Sequence, residues 1–275
     1  MKTRHNQAHE NNSTPSHELV TQYRAGIHSD DSEASLAAVH YRGSEAEFEL
    51  GKTYCQSEDA GDRATGADVL AQLGGFDQTF HEESIALLTH LLGDGDPHVV
   101  YCAAVGLGHR KATSAISQLA SQAGHADELV RFGVVHGLSG QDDPQALDCL
   151  VTLASDDDRE VRNWAVFSLG SQSDVDTPAI RAALHTALAD EDHEIRGEAL
   201  MGLANRGDDS IIPILLEEWK DDEASILSIE AAEEIKDPRL YTRLEELNTF
   251  FAEVEDDYYL EALAKAVTAC KASPT

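Results

Sequence analysis

Positive charge is what this sequence has least of. Seven lysines and thirteen arginines stand against 51 aspartates and glutamates, a formal net charge of −31 over 275 residues. Nonspecific nucleic-acid binding draws nearly all its affinity from neutralising phosphates, so this balance argues against a nucleic-acid partner. An anionic membrane surface is disfavoured on the same ground. Aromatic residues make up only 6% of the chain, a composition that suits helices packed through Ala, Leu and Val. No stretch approaches the ~20 consecutive apolar residues of a membrane-spanning helix. The four cysteines, Cys55, Cys102, Cys149 and Cys270, are scattered with no CxxC pair. The opening segment MKTRHNQAHENNSTPSHE lacks the apolar core of a signal peptide. These features read as a soluble cytoplasmic protein with reduced thiols.

Catalytic signatures are missing as well. The sequence contains no HExxH, GxSxG or glycine-rich phosphate loop, and no cysteine–histidine pairing at a supporting spacing. No catalytic residue, cofactor or metal site is therefore expected. The acidity itself has two origins that both remain open: solubility, including adaptation to high salt, or complementarity to a basic protein partner.

What the chain does contain is a period. The segments AGDRATGADVLAQLGG (60–75), GDPHVVYCAAVGLGH (95–109), ADELVRFGVVHGLSG (126–140), DDREVRNWAVFSLGS (157–171) and EDHEIRGEALMGLAN (191–205) each end on an equivalent leucine. These leucines are Leu73, Leu107, Leu138, Leu169 and Leu203, spaced 34, 31, 31 and 34 residues apart, and a weaker sixth copy ends near Ile235. A period of this size marks a stacked helical repeat. Each motif segment follows another amphipathic stretch (82–94, 112–124, 143–155, 177–190 and 209–221) with apolar residues at helical spacing, such as Ile180, Leu184 and Leu188. Asp143-Pro144 and Thr177-Pro178 place a capping side chain before a proline in the first turn. The expectation is an all-α superhelix, an α-solenoid of about seven helical hairpins. Residues 1–16 read as a disordered polar tail and 17–275 as a single repeat domain. The clearest repeats fall at 55–236, and a capping hairpin at 237–270 closes the end.

The recurring pattern is Asp-x-x-Val-Arg-x-x-Ala-x-x-x-Leu-Gly. Asp158, Val161, Arg162, Ala165, Leu169 and Gly170 carry it in full, and Asp192, Ile195, Arg196, Ala199 and Leu203 nearly so. Asp127, Val130, Arg131 and Leu138 keep the frame, whereas the 94–108 copy has Val100 at the arginine position. This pattern resembles the HEAT repeat in its short, bilin-lyase-like variety, over about residues 55–236. The resemblance implies that Val161, Ala165, Val166 and Leu169 face the core. It also implies that Asp127, Arg131, Asp158, Arg162, Asp192 and Arg196 form a structural ladder between neighbouring repeats.

Two enzyme-associated families share this repeat. In deoxyhypusine hydroxylase, His-Glu pairs directly after the Val-Arg step hold a di-iron site. The corresponding pairs here are Ala67-Asp68, Tyr101-Cys102, Phe132-Gly133, Asn163-Trp164 and Gly197-Glu198, and none is His-Glu. The four His-Glu dipeptides of the chain, at His9, His17, His81 and His193, lie out of register. The other family is the phycobilin lyases, and the repeat alone implies a subunit that handles a linear tetrapyrrole as the alternative function.

The leading expectation is a non-enzymatic protein-binding scaffold, adaptor or inhibitor. It includes the case of an immunity or antitoxin protein for a basic partner. In HEAT arrays the second helices line the concave face, and the positions after Val-Arg point into it. Those columns hold Tyr101, Phe132, Asn163, Trp164 and Glu198, and one turn later His136, Phe167 and Met201. Asp68 and Glu198 would flank this patch with negative charge. Trp164 and Phe167 read equally well as contact residues or as wedges between helices.

Overall fold

The computed structural model describes residues 13–26, 30–253 and 256–271. Among these residues it is all-helical, with sixteen α-helices, five short 3-10 turns and no strand. Helices α1 (Ser16–Ala25) and α2 (Asp30–Arg42) precede seven hairpins. In order these are α3 (Glu45–Cys55) with α4 (Ala60–Ala71), α5 (His81–Leu91) with α6 (Pro97–His109), and α7 (Ile116–Ser121) with α8 (Glu128–Leu138). Then come α9 (Pro144–Leu153) with α10 (Arg159–Gly170), and α11 (Pro178–Ala187) with α12 (His193–Ala204). The series ends with α13 (Ile212–Glu218) and α14 (Ile226–Ile235), then α15 (Tyr241–Phe250) and α16 (Asp257–Cys270). Most of the expected polar tail lies outside the described residues, and Ser16 is already the first residue of α1.

The helices start where side-chain chemistry allows it. Asp59, Asp96, Asp127, Asp158, Asp192 and Asp256 each accept a backbone N–H of the first turn and cap the second helix of their hairpin. Thr177 Oγ1 accepts from Ile180 N at 3.2 Å ahead of Pro178, and Asp143 Oδ1 accepts from Gln145 N at 2.8 Å ahead of Pro144. Two first helices are shorter than the periodicity suggests. Segment 112–124 opens as a 3-10 turn, and segment 209–221 is 3-10 at both ends around the α13 core.

The chain forms two compact units, Met1–Ala146 and Leu147–Thr275. In the first, α4, α6 and α8 pack side by side in sequence; in the second, α10, α12, α14 and α16 do the same. The five frame leucines, Leu73, Leu107, Leu138, Leu169 and Leu203, are all fully buried, as are Val161, Ala165 and Val166. Glycine lets the second helices come close. A Cβ on Gly137 would sit 2.8 Å from the Ala104 carbonyl oxygen, and one on Gly202 would sit 2.6 Å from Gly170 Cα.

Two arginines, each three residues after a frame leucine, tie successive repeats together. Arg110, 1% exposed, donates Nε and Nη2 to the Leu70 carbonyl (2.9 and 2.6 Å), Nη2 to Leu73 (3.1 Å) and Nη1 to Thr79 (3.2 Å). Arg206 does the same job in the second unit, donating to the carbonyls of Leu169, Ser173 and Val175. These carbonyls lie at helix ends or in the turns that follow, where no helix supplies a partner, so each guanidinium satisfies several acceptors at once.

Candidate protein-binding surface

The surface is built from the second helix of each hairpin, which turns its Val/Ala/Leu face inward and leaves the residues after the Val-Arg step on the other side. In the first unit, His98 and Tyr101 on α6 lie beside Phe132 and His136 on α8. Tyr101 and Phe132 stack in parallel, with ring centroids 6.1 Å apart and planes 4° apart. His98 stacks on Tyr101 at 6.2 Å, and His136 meets Phe132 edge-on at 4.5 Å. Burial, and then the nearby His109, lower the pKa of His136 and favour its neutral ring. Burial is likewise the first cause that raises the Tyr101 phenol.

Asp68, the expected acidic flank in this unit, accepts the Tyr23 hydroxyl at 2.7 Å. Burial first, and Asp68 second, push that phenol far above its ordinary pKa. The α1 helix thus reaches the acidic end of the row. Cys102 is 5% exposed, and burial, reinforced by Asp68, drives its thiol well up. A thiol held in its protonated form is a poor nucleophile, so Cys102 serves as a packing residue here.

In the second unit, α10 carries Asn163, Trp164 and Phe167, and α12 carries Glu198 and Met201. Trp164 and Phe167 meet edge-on at 5.6 Å. Asn163 Oδ1 is buried without a hydrogen-bond partner. Glu198 Oε2 accepts the Ser171 hydroxyl at 3.2 Å. Burial raises the pKa of Glu198, and the charges of Glu230 and Glu194 add to the shift. All eight residues, Tyr101, Phe132, His136, Asn163, Trp164, Phe167, Glu198 and Met201, are half-buried. Trp164 and Phe167 are each partly packed and partly in solvent.

The ladder residues behave differently from one another. Asp127, Asp158 and Asp192 are the helix caps already described. Arg131, Arg162 and Arg196 each send Nη1 back to the two carbonyls five and six residues earlier; for Arg162 these are Asp157 and Asp156, at 3.1 and 2.9 Å. The inter-repeat ion pair of Arg162 goes to Asp190, at 2.8 and 3.3 Å. Asp190 lies two residues before the motif aspartate and also accepts Asp192 N. Arg63 on α4 repeats this geometry with Asp94, at 2.6 and 2.8 Å. Asp192 has its own inter-repeat partner, Arg159 Nε, at 2.5 Å.

Sequence reasoning missed Arg63, Arg159, Asp94 and Asp190, although a signal was there. Where the arginine is replaced by Val100, the matching aspartate of the next repeat is replaced by His125, whose Nδ1 takes over the bond to Asp127 N at 3.0 Å. Donor and acceptor are lost together.

Among the described residues, no three histidine, cysteine, aspartate or glutamate side chains gather into a set able to hold a metal ion. His17, His81 and His193 lie at or near the starts of α1, α5 and α12, and His9 lies outside the described residues. Among those residues, too, no helix is long and apolar enough to cross a membrane.

No curated protein matches the chain in sequence. Among solved structures, YibA from E. coli superimposes with a TM-score of 0.74 at 24% identity, over 99% of this chain and 98% of that one. An engineered protein matches with a TM-score of 0.54 at 17% identity, over 93% of this chain and 78% of that one. The complex of CpcE and CpcF of phycocyanin lyase from Nostoc sp. PCC7120 gives a TM-score of 0.46 at 15% identity, over 92% and 94%. These likenesses concern fold. The family model for HEAT repeats matches residues 101–170 and 152–236, spanning the motifs with the fullest Asp-x-x-Val-Arg pattern. The chain is a HEAT-repeat protein.

Proposed function

We propose that this protein is a non-enzymatic scaffold that binds another protein through the exposed side of its second helices. The observation that carries the reading is the set of half-buried aromatic and polar side chains on the second helices of successive repeats within each unit. It comprises Tyr101, Phe132 and His136 in the first unit, and Asn163, Trp164, Phe167, Glu198 and Met201 in the second. Half-buried, mutually braced rings lose little side-chain freedom on contact, which is what makes aromatic residues effective anchors in interfaces.

The partner is basic at the point of contact. Burial raises the pKa of Glu198, and the charges of Glu230 and Glu194 raise it further. An incoming lysine or arginine would relieve that repulsion. The net charge of −31 would speed encounter with such a partner at low salt. An adaptor or an inhibitor that covers a basic surface fits this chemistry.

The test compares affinity capture by the native chain with capture by a Phe132→Ala/Trp164→Ala variant, followed by mass spectrometry. We expect a specific basic protein to be retained by the native chain and lost from the variant, and the retention to fall as salt rises. Equal capture by both, or capture that ignores salt, would contradict the proposal. The alternative tetrapyrrole role predicts an absorbance shift on mixing with a linear tetrapyrrole, where the scaffold reading predicts none.

A further inference from the structure

The inter-repeat ion pair is open at one place, and a cavity lies there. Arg63 and Arg162 each grip a carboxylate two residues before the next helix cap, Asp94 and Asp190. For Arg196 the equivalent residue is Glu223, two before the α14 cap Ser225. Yet among the described residues Arg196 makes no ion pair, and its hydrogen bonds are those of Nη1 to the carbonyls of Asp190 and Glu191, both at 2.9 Å. Between Arg196 and Glu223 opens a pocket of about 590 Å³, within the range of small-molecule sites.

The pocket walls carry opposite charges. Arg196 supplies the cation on one side with His193 beside it, and Glu218, Asp222, Glu223 and Asp256 supply carboxylates on the others, Asp222 being already paired with Arg243. Glu218 Oε1 is held by the Ser225 hydroxyl at 3.2 Å, and Asp256 Oδ1 by Tyr259 N at 3.0 Å, so two of the carboxylates are fixed in place. Phe251 and Tyr259 add an apolar wall, edge-on at 5.3 Å, and the Tyr259 hydroxyl is anchored on the Ala224 carbonyl at 3.0 Å. A simple cation would face Arg196 unfavourably, and a simple anion would face four carboxylates, three of them without an ion pair among the described residues. A ligand carrying both charges close together, with an apolar body, satisfies all the walls.

We propose that this pocket binds the zwitterionic head of a free α-amino acid with an apolar side chain. The carboxylate lies on the Nε/Nη2 side of Arg196, the ammonium lies among Glu218, Glu223 and Asp256, and the side chain rests on Phe251 and Tyr259. The proposal does not rest on the proposed protein-binding role. A repeat array that departs from its own rule at one position, and keeps the arginine there, has left that guanidinium available.

Calorimetric titration of the full chain tests this with L-phenylalanine, L-phenylalanine amide and N-acetyl-L-phenylalanine. The free amino acid is expected to bind, and removal of either charge should weaken binding about tenfold or more, as for loss of a hydrogen bond to a charged group. Arg196→Gln should abolish the advantage of the acid over the amide, and Glu223→Gln should reduce the advantage over the N-acetyl compound. Glu223 makes no structural hydrogen bond among the described residues, so that variant leaves the fold intact and keeps the test decisive if Arg196→Gln is unstable. Absence of heat with L-phenylalanine and L-leucine, or equal binding of the amide or the N-acetyl compound, would overturn the proposal.

Discussion

His40 shows how single residues set conditions for the fold. It is 8% exposed, and its Nε2 lies 2.8 Å from the Asp68 carbonyl oxygen, as a donor. Burial is the main cause that lowers its pKa to about 4, and the nearby Arg110 and His109 push the same way. A folded pKa below the unfolded value means that the unfolded chain binds the proton first. Stability from this group is therefore complete above pH 6.5 and is lost as pH falls from 6.5 towards 4, by up to about 3 kcal/mol. Urea unfolding at pH 7 and pH 5 should show this loss in the native chain and a smaller one in His40→Gln. An equal pH slope in both would contradict the assignment. The carboxylates of Asp192 and Asp208, lowered to about 2, lose their contribution only below pH 4, so the two windows separate. Glycine gives a second prediction at this scale. Gly137→Ala and Gly202→Ala place a methyl against backbone that cannot yield, and each should cost about 1–3 kcal/mol in urea unfolding.

Residues of this kind divide by how readily the sequence discloses them. The frame leucines recur at nearly even intervals, so periodicity singles them out, whereas the HEAT resemblance implies a ladder between repeats for the motif aspartates and their capping role comes from the structure. Arg110 and Arg206 follow their leucines by three residues, but the equivalent positions in other repeats hold Phe76, Gln141 and Gln172. That column looks like ordinary surface variation until the carbonyls behind it are seen.

At the scale of elements, hairpins are joined by pairs whose partners lie in irregular turns. The Arg162–Asp190 pair is mostly buried, with side chains 15% and 11% exposed, and Arg162 also satisfies two turn carbonyls. Arg162→Ala should therefore cost about 2–3 kcal/mol, whereas Glu217→Ala, in an exposed pair with Lys220, should cost well under 1 kcal/mol. Denaturant midpoints of the two variants compare them directly. The existence of the hairpins was legible because the 3.6-residue pattern spans each helix. The ladder was legible only in kind, because which aspartate meets which arginine depends on how far a turn of the next repeat reaches. The pocket beside Arg196 was not legible. Its walls come from a degraded sixth repeat and from the capping hairpin, where the periodic signal is weakest.

For the whole molecule, charge and repeat architecture set the terms. A net charge of −31 repels itself, and salt screens that repulsion over about 10 Å at 0.1 M. The melting temperature should rise from low to moderate salt while affinity for the proposed basic partner falls, because the carboxylates that destabilise the free chain would also attract such a partner. HEAT repeats bury a continuous core by stacking and present an extended surface. The central claim is that a protein partner binds at these side chains, Tyr101, Phe132 and His136 in the first unit and Asn163, Trp164, Phe167, Glu198 and Met201 in the second. The most direct measurement is the dissociation constant of the captured basic partner for the native chain and for the Phe132→Ala/Trp164→Ala variant, with circular dichroism establishing that both are folded. The account predicts a loss of at least about a hundredfold, as expected for two aromatic anchors. An unchanged constant in a folded variant would contradict it.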